Sequence, residues 1–146
     1  MKPTPILTSV DIIVIAEMQL TRDFYVLMIK RKNDPYKNQW AFPGGFVDEN
    51  ELFIDAAIRE LKEETGLRLN SFSLRACGYE DSLFRDPRGR VVTQIFETIF
   101  KNVKVLPHVE ASDDAKEIEW IKYENLIKMD LAFDHLRILT NDLTGR

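Results

Sequence analysis

Three glutamates near the middle of the chain are spaced so that their carboxylates meet on one patch of an α-helix. Glu60 and Glu64 are four residues apart and share a helix face, and Glu63 lies one turn from Glu60. Like charges at this spacing repel one another, and a divalent cation would relieve the repulsion. Carboxylate oxygens suit Mg²⁺, with Mn²⁺ as the alternative ion. We call these three residues the carboxylate triad and predict that it binds metal, although a glutamate-rich helix face is also commonly only solvated.

The element that must position the triad is a helix predicted over residues 52–65. Aliphatic residues recur there at spacings of three and four and form one apolar stripe: Ile54, Ala57, Ile58 and Leu61. Gly66 provides a C-terminal stop. Upstream, residues 40–46 predict a short strand that runs into a tight turn at Gly44 and Gly45. Paired glycines allow a ligand to approach the backbone closely, and they equally suit a plain turn.

The glutamates belong to a longer pattern that runs from Gly45 to Leu67. It reads G-x5-E-x7-R-E-U-x-E-E-x-G-U, where U is a bulky aliphatic residue, and all nine specified positions are filled. In this the chain resembles the Nudix hydrolases. The resemblance implies Mg²⁺-dependent hydrolysis of a nucleoside diphosphate linked to another moiety.

The resemblance also implies roles for residues around the pattern. Glu60 and Glu64 match the main metal ligands, Glu63 the third, and the backbone carbonyl of Gly44 a further ligand. Arg59 completes the expected catalytic set. We expect Arg59 to project away from Glu60 and to pair with Glu51, which would fix the geometry between loop and helix.

The remaining hydrophobic patterns predict an α/β fold, a single domain over residues 1–146. The order β-β-β-α-β-β-loop-β-α indicates a mixed central sheet covered by helices, and the resemblance implies the same α/β/α sandwich. A polar loop is expected over residues 31–39. Strands are predicted over 10–18, 24–30, 40–42, 71–80, 91–100 and 117–122, and helices over 52–65, 124–129 and 134–143.

Composition restricts the partners and the compartment. The 20 basic and 24 acidic residues give a net charge of −4, which argues against nucleic-acid binding. No apolar run reaches membrane-spanning length, and no signal-peptide core is visible at the N-terminus. A cytoplasmic enzyme with a small-molecule substrate fits these features, and homodimers are common in the family that the chain resembles.

Two loops offer further site residues. Asp86, Pro87 and Gly89 favour a type I turn that displays Arg88, with Arg85 just before it. These arginines read as exposed and solvated, but the phrase Arg-Asp-Pro-Arg-Gly is similar to a strand connection in ADP-ribose pyrophosphatase-type Nudix enzymes, which favours a substrate contact for Arg85. An acidic loop supplies candidates for an extra metal ligand or general base: Glu110, Asp113 and Asp114.

The phrase Ala-Phe-Asp-His at residues 132–135 is also similar to one in ADP-ribose pyrophosphatases. There Asp134 suits the position before a helix, and His135 is a candidate to face the substrate. We therefore predict cleavage of ADP-ribose to AMP and ribose 5-phosphate. The expected substrate contacts are aromatic and cationic: Trp40, Phe46, Phe84 and Arg85. The alternatives are a nucleoside triphosphate pyrophosphatase and a non-catalytic sensor of ADP-ribose.

Overall fold

The computed structural model describes residues 3–112 and 115–144, which form a mixed sheet with helices on both faces. Within those ranges the sheet has seven strands. The strands are β1 (Leu7–Met18), β2 (Phe24–Arg31), β3 (Trp40–Ala41), β4 (Gly44–Phe46), β5 (Arg75–Glu80), β6 (Val91–Val103) and β7 (Ala115–Lys122). The helices are α1 (Phe53–Thr65), α2 (Tyr123–Leu126) and α3 (His135–Thr144), and a 3₁₀ turn spans Ser71–Ser73.

Strand β1 organises the sheet because it pairs with three other strands. Along one edge its first half is antiparallel to β4 and its second half is antiparallel to β2. Along the other edge it runs parallel to β6 over most of its length. Because helices cover both faces of the sheet, a central strand such as β1 has a nearly continuous apolar sequence. The arrangement brings the glycine-containing strand β4 to the first half of β1.

The side chains of β1 alternate between two cores, one on each face of the sheet. Ile13 and Ile15 pack with Leu139 of α3. Ile12 and Val14 pack with Leu61 of α1. The two cores confirm the predicted α/β/α sandwich, with α1 and α3 on opposite faces. None of the helices in the described ranges combines the length and apolar character that crossing a membrane requires.

The predicted elements are present, with differences in their bounds. Arg31, which was expected in the loop 31–39, ends β2, and the helix predicted over 124–129 spans only Tyr123–Leu126. Residues 44–46 were predicted as a turn but form β4. Glycine has a low strand propensity, so the sequence indicated a turn, but its missing side chain lets this segment lie close enough to β1 to pair with it. The strand predicted from residue 71 begins only at Arg75. Before it, the Asn70 side chain accepts hydrogen bonds from the backbone N–H groups of Phe72 and Ser73 and holds a 3₁₀ turn.

Candidate active site

The acidic face of α1 packs directly on the two glycines of β4. Glu64 is buried, and its Oε1 accepts a hydrogen bond of 2.8 Å from the backbone N–H of Gly44. A side chain at Gly45 would place its Cβ 2.5 Å from Oε1 of Glu60. The paired glycines therefore leave the space that two carboxylates occupy, which explains why this segment needs both.

The electrostatics of this pair suit a cation. Burial raises the pKa of Glu60 and raises that of Glu64 well above its ordinary value, and the two carboxyl groups share a hydrogen bond. Two carboxyl groups in contact, of which Glu64 is buried, cannot both ionise at low cost unless a positive charge lies beside them. The donor set, two convergent hard oxygens, fits Mg²⁺ or Mn²⁺. The Gly44 carbonyl stays a predicted ligand.

Arg59 holds the acidic face and the preceding loop together. Its Nε lies 2.6 Å from Oε2 of Glu51 and its Nη2 lies 2.9 Å from Oε1, which confirms the predicted pair. These hydrogen bonds lower the pKa of Glu51 to about 2. The expectation that Arg59 points away from Glu60 is wrong, because Nη1 folds back to within 2.8 Å of Oε1 of Glu60. Nη1 also lies 3.4 Å from the half-exposed Glu63.

We expect the metal-free protein to lose stability as the pH rises above 4.5, the ordinary value for Glu60 and Glu64. Because both pKa values are raised, the folded chain holds more protons than the unfolded chain above that pH, and the free energy of unfolding falls. Glu51 and Glu80, whose pKa values are about 2, change the free energy of unfolding only at pH values below this range. Thermal unfolding in EDTA at a series of pH values measures the effect.

Mg²⁺ should restore the stability lost at high pH, and Glu64→Gln should flatten the decline because glutamine cannot ionise. An equally steep decline in that variant would show that ionisation of Glu60 and Glu64 is not its cause.

A cavity of about 90 Å³ lies beside this acidic face. Its walls come from β1, β2, β4, the connection between β5 and β6, and the start of α3. Drug-sized ligands usually occupy ~300–1,000 Å³. The cavity can therefore enclose one group of a nucleotide-sized substrate, while the rest of such a substrate lies outside it.

Asp11 and His135 form a buried polar contact in this cavity, and sequence reasoning missed Asp11. Nδ1 of His135 accepts from the backbone N–H of Phe42 at 3.1 Å, so the proton lies on Nε2, which is 3.4 Å from Oδ1 of Asp11. The Thr93 hydroxyl donates to Oδ2 of Asp11 at 2.8 Å. Burial opposes ionisation of Asp11, but His135 and Thr93 outweigh it and lower the pKa. One carboxylate within the apolar run of β1 was the available signal.

The structure brings two of the four predicted substrate contacts to the cavity. Phe46 and Arg85 line it. Trp40 instead packs against the core, with Nζ of Lys30 5.6 Å from its ring centre, and Phe84 is 94% exposed outside the cavity walls. The substrate roles of all four residues stay predictions.

The expectation that Arg85 is a solvated surface residue is wrong. Its side chain is only 4% exposed and forms two hydrogen bonds to Asp134, Nε to Oδ2 at 2.9 Å and Nη2 to Oδ1 at 2.8 Å. Asp134 directly precedes α3, as predicted, and so ties this helix to the strand connection. Arg88 is 39% exposed and pairs with Asp86.

Of the three acidic loop residues proposed as an extra ligand or general base, the structure describes only Glu110. Glu110 is exposed, and its Oε1 lies 3.0 Å from Nε2 of His108. Its backbone N–H donates to the Thr65 carbonyl at the end of α1. Asp113 and Asp114 lie outside the described residues. The predicted role of a loop carboxylate as ligand or base stays a prediction for all three.

Comparisons with known proteins agree with the fold. The chain is 44% identical over 122 residues to an ADP-ribose pyrophosphatase of Methanocaldococcus jannaschii, an alignment that covers 82% of this chain and 66% of that protein. It is 34% identical over 139 residues to the ADPR responsive transcriptional repressor NtrR of Acinetobacter baylyi, covering 94% of this chain and 52% of the repressor. The chain thus spans between half and two thirds of these relatives.

A solved structure and a family model extend the match over most of the chain. A bifunctional NMN adenylyltransferase/ADP ribose pyrophosphatase of Francisella tularensis, complexed with AMP and a Mn ion, superposes with a TM-score of 0.86 and 34% identity, covering 97% of this chain and 42% of that one. The model described as NUDIX domain matches residues 6–141. The chain belongs to the NUDIX domain family.

Proposed function

We propose that this protein is a Mg²⁺-dependent pyrophosphohydrolase that cleaves ADP-ribose to AMP and ribose 5-phosphate, with Mn²⁺ as an alternative ion. The observation that carries the proposal is a pair of carboxylates, the buried Glu64 and the partly exposed Glu60, packed on Gly44 and Gly45 beside a cavity lined with arginines. The similarity to an ADP-ribose pyrophosphatase, and to an enzyme complexed with AMP and a Mn ion, supports the choice of substrate and ion.

The residues of the acidic face have separate tasks in this proposal. Glu60 and Glu64 would hold the divalent cation, with Glu63 and the Gly44 carbonyl as further ligands. When bound, the cation neutralises charge on the diphosphate and lowers the pKa of the attacking water. Arg59 holds Glu60 against the loop by hydrogen bonds to Glu51 and to the Phe46 carbonyl, which fixes the carboxylate before the substrate arrives.

In this proposal the residues that line the cavity determine substrate specificity. Phe46 offers an aromatic surface on which a planar base or a sugar can pack, and the guanidinium groups offer hydrogen bonds to phosphate oxygens. We keep Trp40 and Phe84 as candidates for the part of the substrate that lies outside the cavity.

We predict that kcat/KM for ADP-ribose exceeds that for any canonical or oxidised nucleoside triphosphate by at least about tenfold. This requires only ~1.4 kcal/mol of difference in transition-state binding. The physical reason is that the cavity walls offer aromatic surface and arginines but no evident feature that favours a third phosphate. Side-by-side assays with Mg²⁺ measure the ratio, and faster hydrolysis of a triphosphate would make the nucleoside triphosphate pyrophosphatase the better description.

A sensor of ADP-ribose is a second candidate because one relative is an ADPR responsive transcriptional repressor. The complete carboxylate triad favours the enzyme. Calorimetric binding of ADP-ribose without turnover in Mg²⁺ or Mn²⁺ would favour the sensor instead.

We further propose that residues 1–146 act as one domain of a cytoplasmic enzyme, with a small-molecule partner, no nucleic-acid partner and a homodimeric state. The net charge of −4 supports the absence of nucleic-acid binding. Light scattering and a salt-dependent DNA-binding assay test the last two points.

A further inference from the structure

Three arginines line the cavity, and carboxylates already neutralise two of them. Arg85 is held by two hydrogen bonds to Asp134. Arg88 forms a similar pair with Asp86, with Nη2 2.7 Å from Oδ2, and the Asp86 side chain is only 2% exposed. Each of these pairs uses two of the five N–H donors of its guanidinium group and offsets its charge.

The third arginine, Arg31, has no carboxylate within 4.0 Å of its nitrogens anywhere in residues 3–112 or 115–144. Its Nε donates to the carbonyl of Pro35 at 2.6 Å, which fixes the plane of the guanidinium group. The residue ends β2 and is half-buried at the cavity wall. Sequence reasoning missed it because residues 31–39 were predicted to be a loop.

Arg31 also shares an aromatic ring with a second cation. Its Cζ lies 5.0 Å from the centre of the Phe133 ring, and Cζ of Arg88 lies 5.5 Å from the same centre. Burial and then the charge of Arg88 lower the pKa of Arg31, while Glu64, Asp86 and Asp11 oppose this. Two guanidinium groups therefore lie against the Phe133 ring, and only that of Arg88 has a carboxylate in direct contact.

We propose that Arg31 is the principal anion-binding side chain of this cavity and that it binds a phosphate group of the substrate. A guanidinium group that is oriented by one hydrogen bond and has no carboxylate in direct contact is prepared to donate to phosphate oxygens. The identification of the anion as part of a diphosphate rests on the proposed function. The pairing of Arg85 with Asp134 ties the start of α3 to the connection between β5 and β6.

The test is a calorimetric titration with inorganic pyrophosphate in EDTA at low salt, which separates this site from metal binding. Arg31→Gln removes the charge at similar length, and we expect its Kd for pyrophosphate to be at least about tenfold weaker, the usual scale for a lost charged hydrogen bond. Arg31→Lys keeps the charge but loses the planar fork, and we expect a loss of about threefold.

Arg22→Gln is the matched control because it removes the same charge from a side chain that is 69% exposed; its Kd should equal that of the wild-type protein. Thermal unfolding verifies that each variant folds, and if Arg31→Gln does not, the comparison rests on Arg31→Lys. Failure of the wild-type protein to bind pyrophosphate, or wild-type affinity in the folded Arg31 variants, would overturn the inference.

Turnover of ADP-ribose tests the proposed function independently. A protein that binds pyrophosphate through Arg31 yet hydrolyses no ADP-ribose would retain this site and lose the proposed activity. A protein that hydrolyses ADP-ribose but binds pyrophosphate equally well with and without Arg31 would keep the proposed function and overturn this inference.

Discussion

Replacing Glu64 with glutamine should lower kcat for ADP-ribose by roughly a hundredfold or more at saturating Mg²⁺, because the stabilisation of charge by a bound metal is worth several kcal/mol. The substitution keeps the volume of the side chain, and the glutamine oxygen can still accept the hydrogen bond from the Gly44 N–H. The fold should therefore survive while a charged ligand is lost. Steady-state kinetics and thermal unfolding of the same preparation separate the two effects.

The matched control is Glu124→Gln, which removes a carboxylate that is 69% exposed and far from the acidic face in sequence. We expect it to keep wild-type kcat. Near-normal turnover of a folded Glu64→Gln protein would exclude the proposed metal site, since no other member of the triad is buried as deeply as Glu64.

Replacing Gly44 with alanine should destabilise the fold by about 1–3 kcal/mol or more, as overpacking in a rigid interior does. An alanine Cβ at this position would lie 2.2 Å from the backbone carbonyl oxygen of Val10 and 2.8 Å from Oδ1 of Asp11. A backbone atom cannot rotate away as a side chain can, so β4 would have to separate from β1. Denaturant unfolding measures the loss.

Gly45→Ala is the informative partner of this variant. Its Cβ would meet the end of the Glu60 side chain, which can move. We expect Gly45→Ala to reduce affinity for Mg²⁺ and activity more than stability, and Gly44→Ala to reduce stability first. Equal unfolding free energies for Gly44→Ala and the wild-type protein would show that β1 and β4 do not lie close enough for this Cβ to clash.

The parts of this molecule that could be predicted from sequence are those fixed by near neighbours. The spacing of Glu60 and Glu64, the apolar stripe of α1 and the stop at Gly66 all act within a few residues, and the structure reproduces them. The short polar stretch between the predicted strands 10–18 and 24–30 is typical of a hairpin, and the structure pairs β1 with β2 antiparallel. Local pattern and local geometry agree in each case.

The parts that could not be predicted depend on residues far apart in the chain. Turn chemistry described Arg85 and its neighbours well, but it held no information about Asp134, whose carboxylate removes Arg85 from the solvent. Asp11 was one acidic residue within an apolar strand until the structure placed it beside His135 and Thr93. Arg31 lay at an uncertain strand boundary, where predictions are least reliable.

The parallel pairing of β1 with β6 has a consequence for the order in which the protein folds. It joins residues with high sequence separation; the bond between Thr93 and Asp11, for example, spans 82 positions. Contacts of such high contact order form late, because the chain between them must be closed first. Helix α1 can therefore form early. The cavity forms later, because Asp11 in its wall is bonded to Thr93 of β6. During refolding, recovery of the helical circular dichroism signal should precede recovery of enzymatic activity.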